Sequence, residues 1–333
     1  MAKEKVLIIG GMGFIGHNLA IKLCKEYEVF LMDAMNVNNL YSLNSNTHEN
    51  PNYELYSKII NQRIDLIKSN KISLKKVDAR DYKKMSEIFN EVKPDYVYHL
   101  AAVAHANVSN KDPYSTFDHS LRTLENSLDN SRSKNQNIKR FIYLSSSMIY
   151  GNFEGGVVDE DTPCNPLGIY GALKFSGEKL VIGYNQVFDL PFTIVRPSAL
   201  YGPRCISRRV IQIFIENAIH KKDIFIENEG KEKLDFTFID DLVHGLQNIL
   251  KYDESKKEIF NITYGQARSI IDVINILKKD FPNLNYISKP RDKLMPIRGT
   301  LSVDKAKNKI KYKPIFNLEK GIKEYINFYK GIL

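Results

Sequence analysis

Residues Lys5 to Gly16, KVLIIGGMGFIG, constrain the fold more than any other stretch. The apolar run Val6-Leu7-Ile8-Ile9 is too short for a helix and ends in glycine, so it reads as a buried strand. Gly10, Gly13 and Gly16 follow at a spacing of three. Phe14, Ile15, Leu19, Ala20 and Leu23 then recur at helical spacing. Strand, glycine turn and helix in this order suit a dinucleotide. The glycines permit close backbone approach, and the helix N-terminus offers free N–H groups and a positive dipole end to a pyrophosphate. A second strand, Val29 to Met32, ends in Asp33, at the distance where an acidic side chain meets a ribose 2′-hydroxyl. A carboxylate there repels a 2′-phosphate, which points to NAD and away from NADP.

The rest of the chain alternates strands with helices, the pattern of an α/β, doubly wound parallel sheet with right-handed connections. Asn36 to Asn52 is polar and aperiodic. Tyr53 to Ser69 carries Tyr56, Ile59, Ile60, Ile64 and Ile67 at helical spacing. Ile72 to Val77 reads as the third strand, and Asp78-Ala79 at its end would reach an adenine. A helix from Tyr82 to Val92 is stopped by Lys93-Pro94. Asp95 to Leu100 reads as the fourth strand, and Ala101-Ala102 after it is small enough to lie against a cofactor. One long helix is expected from Pro113 to about Lys134, then a fifth strand from Phe141 to Ser145. Another helix starts near Gly168, and Phe192 to Arg196 is the sixth strand. Beyond Arg196 the pattern turns irregular, with helices at Ser207 to His220 and Asp240 to Leu250; this is the candidate substrate region.

A net charge of +9 raises the question of nucleic acid, but the lysines are spread along the chain. No dense basic run interleaved with aromatics stands out. The charge therefore reads as a solvated surface able to attract anionic substrates. The three cysteines show no metal-ligand spacing. The first strand begins within five residues of the N-terminus and no apolar run reaches membrane length, so a cytoplasmic protein without signal peptide is expected.

Tyr170 and Lys174 stand four apart, on one face of the helix that starts near Gly168. A tyrosine is a poor base at its ordinary pKa of about 10. A lysine ammonium one turn away favours the phenolate, which then takes a proton from a hydroxyl while hydride leaves to the cofactor. Ser145-Ser146-Ser147 ends the fifth strand, at the edge where open α/β sheets bind ligands.

These motifs resemble the extended short-chain dehydrogenase/reductases that act on nucleotide sugars. The matching segments run in order along nearly the whole chain: GGMGFIG (10–16), Asp33, VDARD (77–81), YHLAA (98–102), SSSMIYG (145–151), NPLGIYGALK (165–174), RPSALYGPR (196–204), DFTFIDD (235–241) and YKPIFNLEKGIKEYINFY (312–329). The resemblance implies a Rossmann domain over 1–196 and about 237–263. A smaller C-terminal α/β domain, about 197–236 and 264–333, would bind the nucleotide sugar. It implies Ser146, Tyr170 and Lys174 as the catalytic set, Ser146 being chosen because it lies four before Tyr150, with Ser145 and Ser147 as the alternatives. Tightly retained NAD would be held by Gly10, Gly13, Phe14, Ile15, Gly16, Asp33, Asp78, Ala79, Leu100, Ala101, Ala102, Ser145, Tyr170, Lys174 and Pro197. It also implies a homodimer through helices 113–134 and 168–187.

Departures from the family pattern shape the substrate reading. Dehydratases of the family follow the catalytic hydroxyl with an acid, whereas this chain has Ser147-Met148, which argues against 4,6-elimination. What remains is oxidation at a ring carbon, C4 by expectation, ending either in epimerisation or in release of a 4-keto sugar. Ala199 replaces the usual Asn of UDP-hexose 4-epimerases, Leu234 an Arg that contacts phosphate, and His119 an Asn. These changes leave UDP or GDP open as the nucleotide. Relatives in capsule and lipopolysaccharide gene sets, including GDP-heptose 4-dehydrogenases, belong to the same comparison. Arg204, Arg208, Arg209, Lys233, Arg291 and Arg298 are the candidate phosphate ligands, with Arg291 and Arg298 the preferred pair. His105, Ser147 and Ala199 would border the sugar. A regulator that binds NAD without catalysis and an RNA-binding protein are the alternatives from other classes; an intact Ser/Tyr/Lys set argues against the first.

Overall fold

The computed structural model describes residues 3–44, 52–103, 106–292 and 295–333. Seven strands form one parallel sheet: β1 Lys5–Ile9, β2 Glu28–Met32, β3 Ser73–Lys75, β4 Tyr96–His99, β5 Arg140–Leu144, β6 Phe192–Arg196 and β7 Glu258–Asn261. Their order is β7-β6-β5-β4-β1-β2-β3. β1 pairs with β2 on one side and β4 on the other, so the strand order reverses there and a crevice opens at the carboxyl ends.

Alternation along β1 shows why both faces are covered. Val6 and Ile8 enter one core with Leu19 and Leu23 of helix Phe14–Leu23, Ile59 and Ile60 of helix Tyr53–Ser69, and Leu242 and Leu246 of helix Ile239–Lys251. Leu7 and Ile9 enter the other, with Ile88 and Phe89 of helix Tyr82–Val92 and Val181 of helix Gly168–Phe188. A parallel sheet needs apolar cover on both sides, and the continuous apolar strands supply it. The first core runs on without a break into the C-terminal part, through Phe214, Ile274, Tyr325 and Tyr329. The short strand pairs there include Ile224–Glu227 with Tyr286–Lys289, Lys233–Leu234 with Arg268–Ser269, and Leu200–Tyr201 with Thr237–Phe238.

Local signals set several boundaries. Asp81 caps helix Tyr82–Val92 by accepting from the Lys84 N–H at 3.1 Å, and Lys93 ends it in a left-handed conformation, φ 49°. Three expectations need correction. The single helix from Pro113 is broken into Pro113–Phe117, a π-turn Asp118–Arg122 and Thr123–Ser131. The wide turn brings Asp118 within 3.1 Å of Arg80. The helix expected from Ser207 begins at Val210, because Arg208 is left-handed at φ 49° and Arg209 extended. Strand β7, which completes the sheet, was not separated from its irregular surroundings by periodicity. Among the described residues no helix is long and apolar enough to cross a membrane, and no group of His, Cys, Asp and Glu is placed to hold a metal ion.

Candidate active site

The glycine turn between β1 and the first helix forms a cradle. Gly10 is left-handed at φ 82°, and a Cβ there would meet the Ala101 backbone nitrogen at 2.8 Å. A Cβ on Gly16 would meet the Gly10 carbonyl oxygen at 2.5 Å. Neither position tolerates a side chain without moving backbone. The helix starts at Gly13 with no side-chain cap, which leaves its first N–H groups for a ligand.

This turn borders an open cleft. Gly10, Gly13, Phe14, Ile15, Gly16, Asp33, Asp78, Ala79, Leu100, Ala101 and Ala102 all line it, together with Ser207 and Arg209 from the C-terminal part. Asp33 is fixed from behind: Oδ2 accepts from the Met12 N–H at 2.9 Å and Oδ1 from the Met35 N–H at 2.6 Å. Burial raises its carboxyl above the ordinary value, against those two hydrogen bonds. Around it the lining residues Ala34, Asn36, Val37 and Asn38 bring no Lys or Arg to the cleft; the cation acting on the carboxylate, Arg63, is buried and donates to the Met12 and Arg204 carbonyls. Asp78 is held by Arg80, whose Nη2 lies 2.7 Å from its Oδ2, and this hydrogen bond keeps its carboxyl below the ordinary range. The cradle and the placed carboxylate fit NAD: the turn and helix end would take the pyrophosphate and Asp33 the adenosine ribose.

Strands β4 and β5 are neighbours with His99 opposite Tyr143, so the segments after them run side by side, Leu100 to Ala102 next to Leu144 to Ser146. Ser146 is buried and its Oγ accepts from the Met148 N–H at 3.2 Å. The helix carrying Tyr170 packs on this turn, so closely that a Cβ on Gly171 would come within 2.9 Å of the Met148 carbonyl oxygen, and Ser146 lowers the phenol's pKa. Helix Gly168–Phe188 lies close to the sheet because Gly177 faces Tyr143, where a Cβ would come within 2.2 Å of the hydroxyl oxygen. This approach brings Lys174 Nζ to 2.6 Å from the Leu144 carbonyl and 5.1 Å from the Tyr143 ring. Burial pushes the Lys174 ammonium down to about 8, with Glu178 pulling it back up. Tyr170 is raised by burial, and the charge drawing it down is the Arg209 guanidinium. The charge lowering the phenol is thus that of Arg209, while the Lys174 ammonium is directed at a backbone carbonyl. Ser145 is buried, with Oγ unbonded to any protein group, and its N–H donates to the Val195 carbonyl; the Ser147 N–H donates to the carbonyl of Pro197.

The candidate substrate residues separate by their partners. Arg298 lines a second cavity with Val210, Phe214, Glu232 and Leu234, and burial lowers its guanidinium to about 10. Arg291 does not pair with it across a ligand site. Its Nε is 2.6 Å from Glu232 and its Nη2 donates to the Met295 carbonyl at 2.6 Å. Arg204 also falls away from the cavity: Nε donates to His17 Nε2 at 3.2 Å and Nη2 to Asn18 Oδ1 at 3.1 Å, behind the glycine turn. The other His17 nitrogen donates to the Gly13 carbonyl at 2.8 Å, and burial, Arg63 and Arg204 hold the imidazole neutral. Arg208 and Lys233 are exposed. Ala199 adopts φ 36°, a left-handed backbone that asparagine takes more readily than alanine. His105 lies outside the described residues. His119 is engaged with its own helix, Nδ1 being 2.8 Å from the Ser115 carbonyl.

A doubly wound sheet with an NAD-shaped glycine turn, and a Ser/Tyr/Lys set at the adjoining strand end, defines a nicotinamide-dependent oxidoreductase of the short-chain type. The chain belongs to the NAD dependent epimerase/dehydratase family, which it matches over residues 6–263. It is 27% identical to the uncharacterized UDP-glucose epimerase YtcB of Bacillus subtilis, over 98% of each chain. It is 25% identical to Protein CapI of Staphylococcus aureus, also over 98% of each. Its structure matches the UDP-glucuronic acid 4-epimerase of Bacillus cereus, solved with UDP-glucuronic acid and NAD, with a TM-score of 0.86 and 25% identity over 99% of this chain and 100% of that one.

Proposed function

We propose that the protein inverts C4 of a UDP-linked hexose or hexuronate. The observation that carries the proposal is the close packing of the Tyr170 helix on the Ser146 turn at the end of β5, with buried Lys174 one turn further along the helix donating to the Leu144 carbonyl. Tyr170 would take the proton of the C4 hydroxyl, and Ser146 would hold that oxygen and relay the proton. The nicotinamide, when bound, supplies the hydride acceptor and donor that inversion at carbon requires. Lys174 would hold the nicotinamide ribose, and Arg209 would keep the phenol close enough to ionisation to act as base. No carboxylate follows Ser146 in its turn, which disfavours elimination of water from C5 and C6.

Residues about 197–236 and 264–333 supply the nucleotide-sugar side of this reading. Arg209 sits on the cofactor cleft and Arg298 in the second cavity, close enough that Arg209 depresses the Arg298 guanidinium. Two guanidiniums that repel one another across the boundary of two cavities suit a diphosphate between them. The UDP-sugar ligand of the Bacillus cereus structure supports uridine as the base and argues against GDP. The exposed apolar side chains Tyr114, Phe117, Leu180, Val187 and Phe188, on the two helices beside the catalytic turn, support a homodimer through a four-helix contact. This reading places the enzyme in the cytoplasm, in surface polysaccharide biosynthesis.

Incubation with NAD and, separately, UDP-glucose, UDP-glucuronic acid, UDP-N-acetylglucosamine and a GDP-hexose, followed by proton NMR of the anomeric region, tests the proposal. A C4 epimer of one UDP-sugar is expected, at equilibrium with its substrate. Accumulation of a 4-keto sugar with stoichiometric NADH, or turnover of the GDP-sugar alone, would replace this reading by a 4-dehydrogenase or a GDP-sugar enzyme.

A further inference from the structure

Below the triad lies a buried ion pair that the reaction as described does not use. Glu178 is one helical turn beyond Lys174 and two beyond Tyr170, on the same face. Arg196, the last residue of β6, forks it, with Nε 3.0 Å from Oε1 and Nη2 2.8 Å from Oε2. Their side chains are 1% and 3% exposed. The remaining Arg196 nitrogen, Nη1, donates to the Tyr150 hydroxyl at 2.9 Å and the Glu160 carbonyl at 3.1 Å. Tyr150 closes the turn that starts at Ser146, and its hydroxyl donates to Asn261 Oδ1 at 2.8 Å. One guanidinium thus joins the residue a turn past Ser146 to the residue a turn past Lys174.

Stability is a weak reason for such a pair. Desolvating two ions costs several kcal/mol each, and apolar side chains of the same volume are often as stable or better. The surroundings of Lys174 suggest a different reason. The groups acting on its ammonium are Glu178 from its own helix, the Tyr143 ring from β5 and His99 from β4, while Arg196 of β6 is bound to Glu178. Burial holds His99 neutral, at about 3, and Tyr143 far above its ordinary value. Glu178 is the only anion among these groups. We infer that Glu178 is a positioning residue: its carboxylate, fixed by Arg196, keeps the buried Lys174 side chain cationic at the cofactor ribose. Burial alone depresses Lys174, and Glu178 is the group that opposes this.

Calorimetric titration of NAD into nucleotide-free protein between pH 6 and 10 reads the charge on Lys174 without turnover. Glu178→Gln removes the charge and keeps the shape. Its affinity is expected to stay within about threefold of the unmodified protein at pH 6. The decline at high pH should begin about one pH unit earlier, giving about fivefold weaker binding at pH 8 and about tenfold at pH 9, since one pKa unit is a factor of ten above both values. A curve parallel to the unmodified one, lowered by a constant factor, overturns the inference, because a purely structural loss has no pH breakpoint. If Glu178→Gln does not fold, Glu178→Asp keeps the charge one methylene further from Lys174. Its breakpoint should fall below the unmodified one, and coincidence of the two overturns the inference equally.

Discussion

Lys174 donates to the Leu144 carbonyl at 2.6 Å from a position where burial has lowered its ammonium to about 8. The lysine is thus anchored to the sheet by the same strand end that carries Ser146, and its charge is carried at a cost. That cost has a measurable pH dependence.

An unfolded lysine titrates near 10.4, so between about pH 8 and 10.5 the unfolded chain binds more protons at this site than the folded one. The folded pKa is depressed, so the site's contribution to stability is greatest above the unfolded pKa and is lost as pH falls through the folded one. Urea unfolding of the unmodified protein minus Lys174→Met, measured at pH 7 and 10.5, isolates it. The difference is expected to move by about 3 kcal/mol in favour of the unmodified protein at the higher pH, at 1.36 kcal/mol per unit. A flat difference would show that Lys174 is not desolvated.

Tyr170→Phe keeps the ring and removes the proton acceptor. Turnover is expected to fall by about a thousandfold or more, within the range of general acid–base effects or beyond it. NAD affinity should change by less than about threefold, and circular dichroism should be unchanged. Retained turnover would move the base elsewhere.

Arg204 and Arg298 are expected to behave in opposite ways. Arg204→Ala leaves His17 Nε2 and Asn18 Oδ1 without their donor, which costs about 1–3 kcal/mol of stability. Arg298→Ala should unfold within about 1 kcal/mol of the unmodified protein. It should also lose about ten- to a hundredfold in UDP affinity, the strength of a charge-assisted contact. Thermal melts and UDP titration of the two variants decide between the two roles.

Gly16→Ala forces a Cβ against the Gly10 carbonyl, 2.5 Å away, and backbone there cannot yield without opening the turn. NAD binding by calorimetry should weaken at least about a hundredfold, since the N–H groups at the helix start no longer point together. Binding unchanged would remove the turn from the cofactor site.

The residues whose placement was legible in the sequence are those whose partners lie close in it. Gly10, Gly13 and Gly16 belong to one turn, and Tyr170 and Lys174 to one helix face. Each motif therefore carries its own geometry. The arginines do not. Arg204 and Arg298 look alike as letters, and what separates them is His17, 187 positions away in the chain from Arg204. Arg291 was placed in the nucleotide site by position, and only folding brings Glu232 to within 2.6 Å of it. Glu178 continues the spacing of Tyr170 and Lys174 by one more turn, a signal present in the sequence. Its meaning depends on Arg196, which arrives from a different strand. Strand β7 was missed because four residues, only the last two buried, give too short an alternation to read.

The π-turn at Asp118–Arg122 has a consequence for residue correspondence. A π-turn holds one more residue than the α-turn it replaces, while the helix on either side keeps its facing. A relative whose helix is regular there is one residue shorter over the same span. Correspondences made by counting then slip by one past the turn, and His119 and Ser120 exchange places as the counterpart of that relative's residue. The place that the resemblance gives to His119 therefore falls inside the turn, where position by count and position by facing part company.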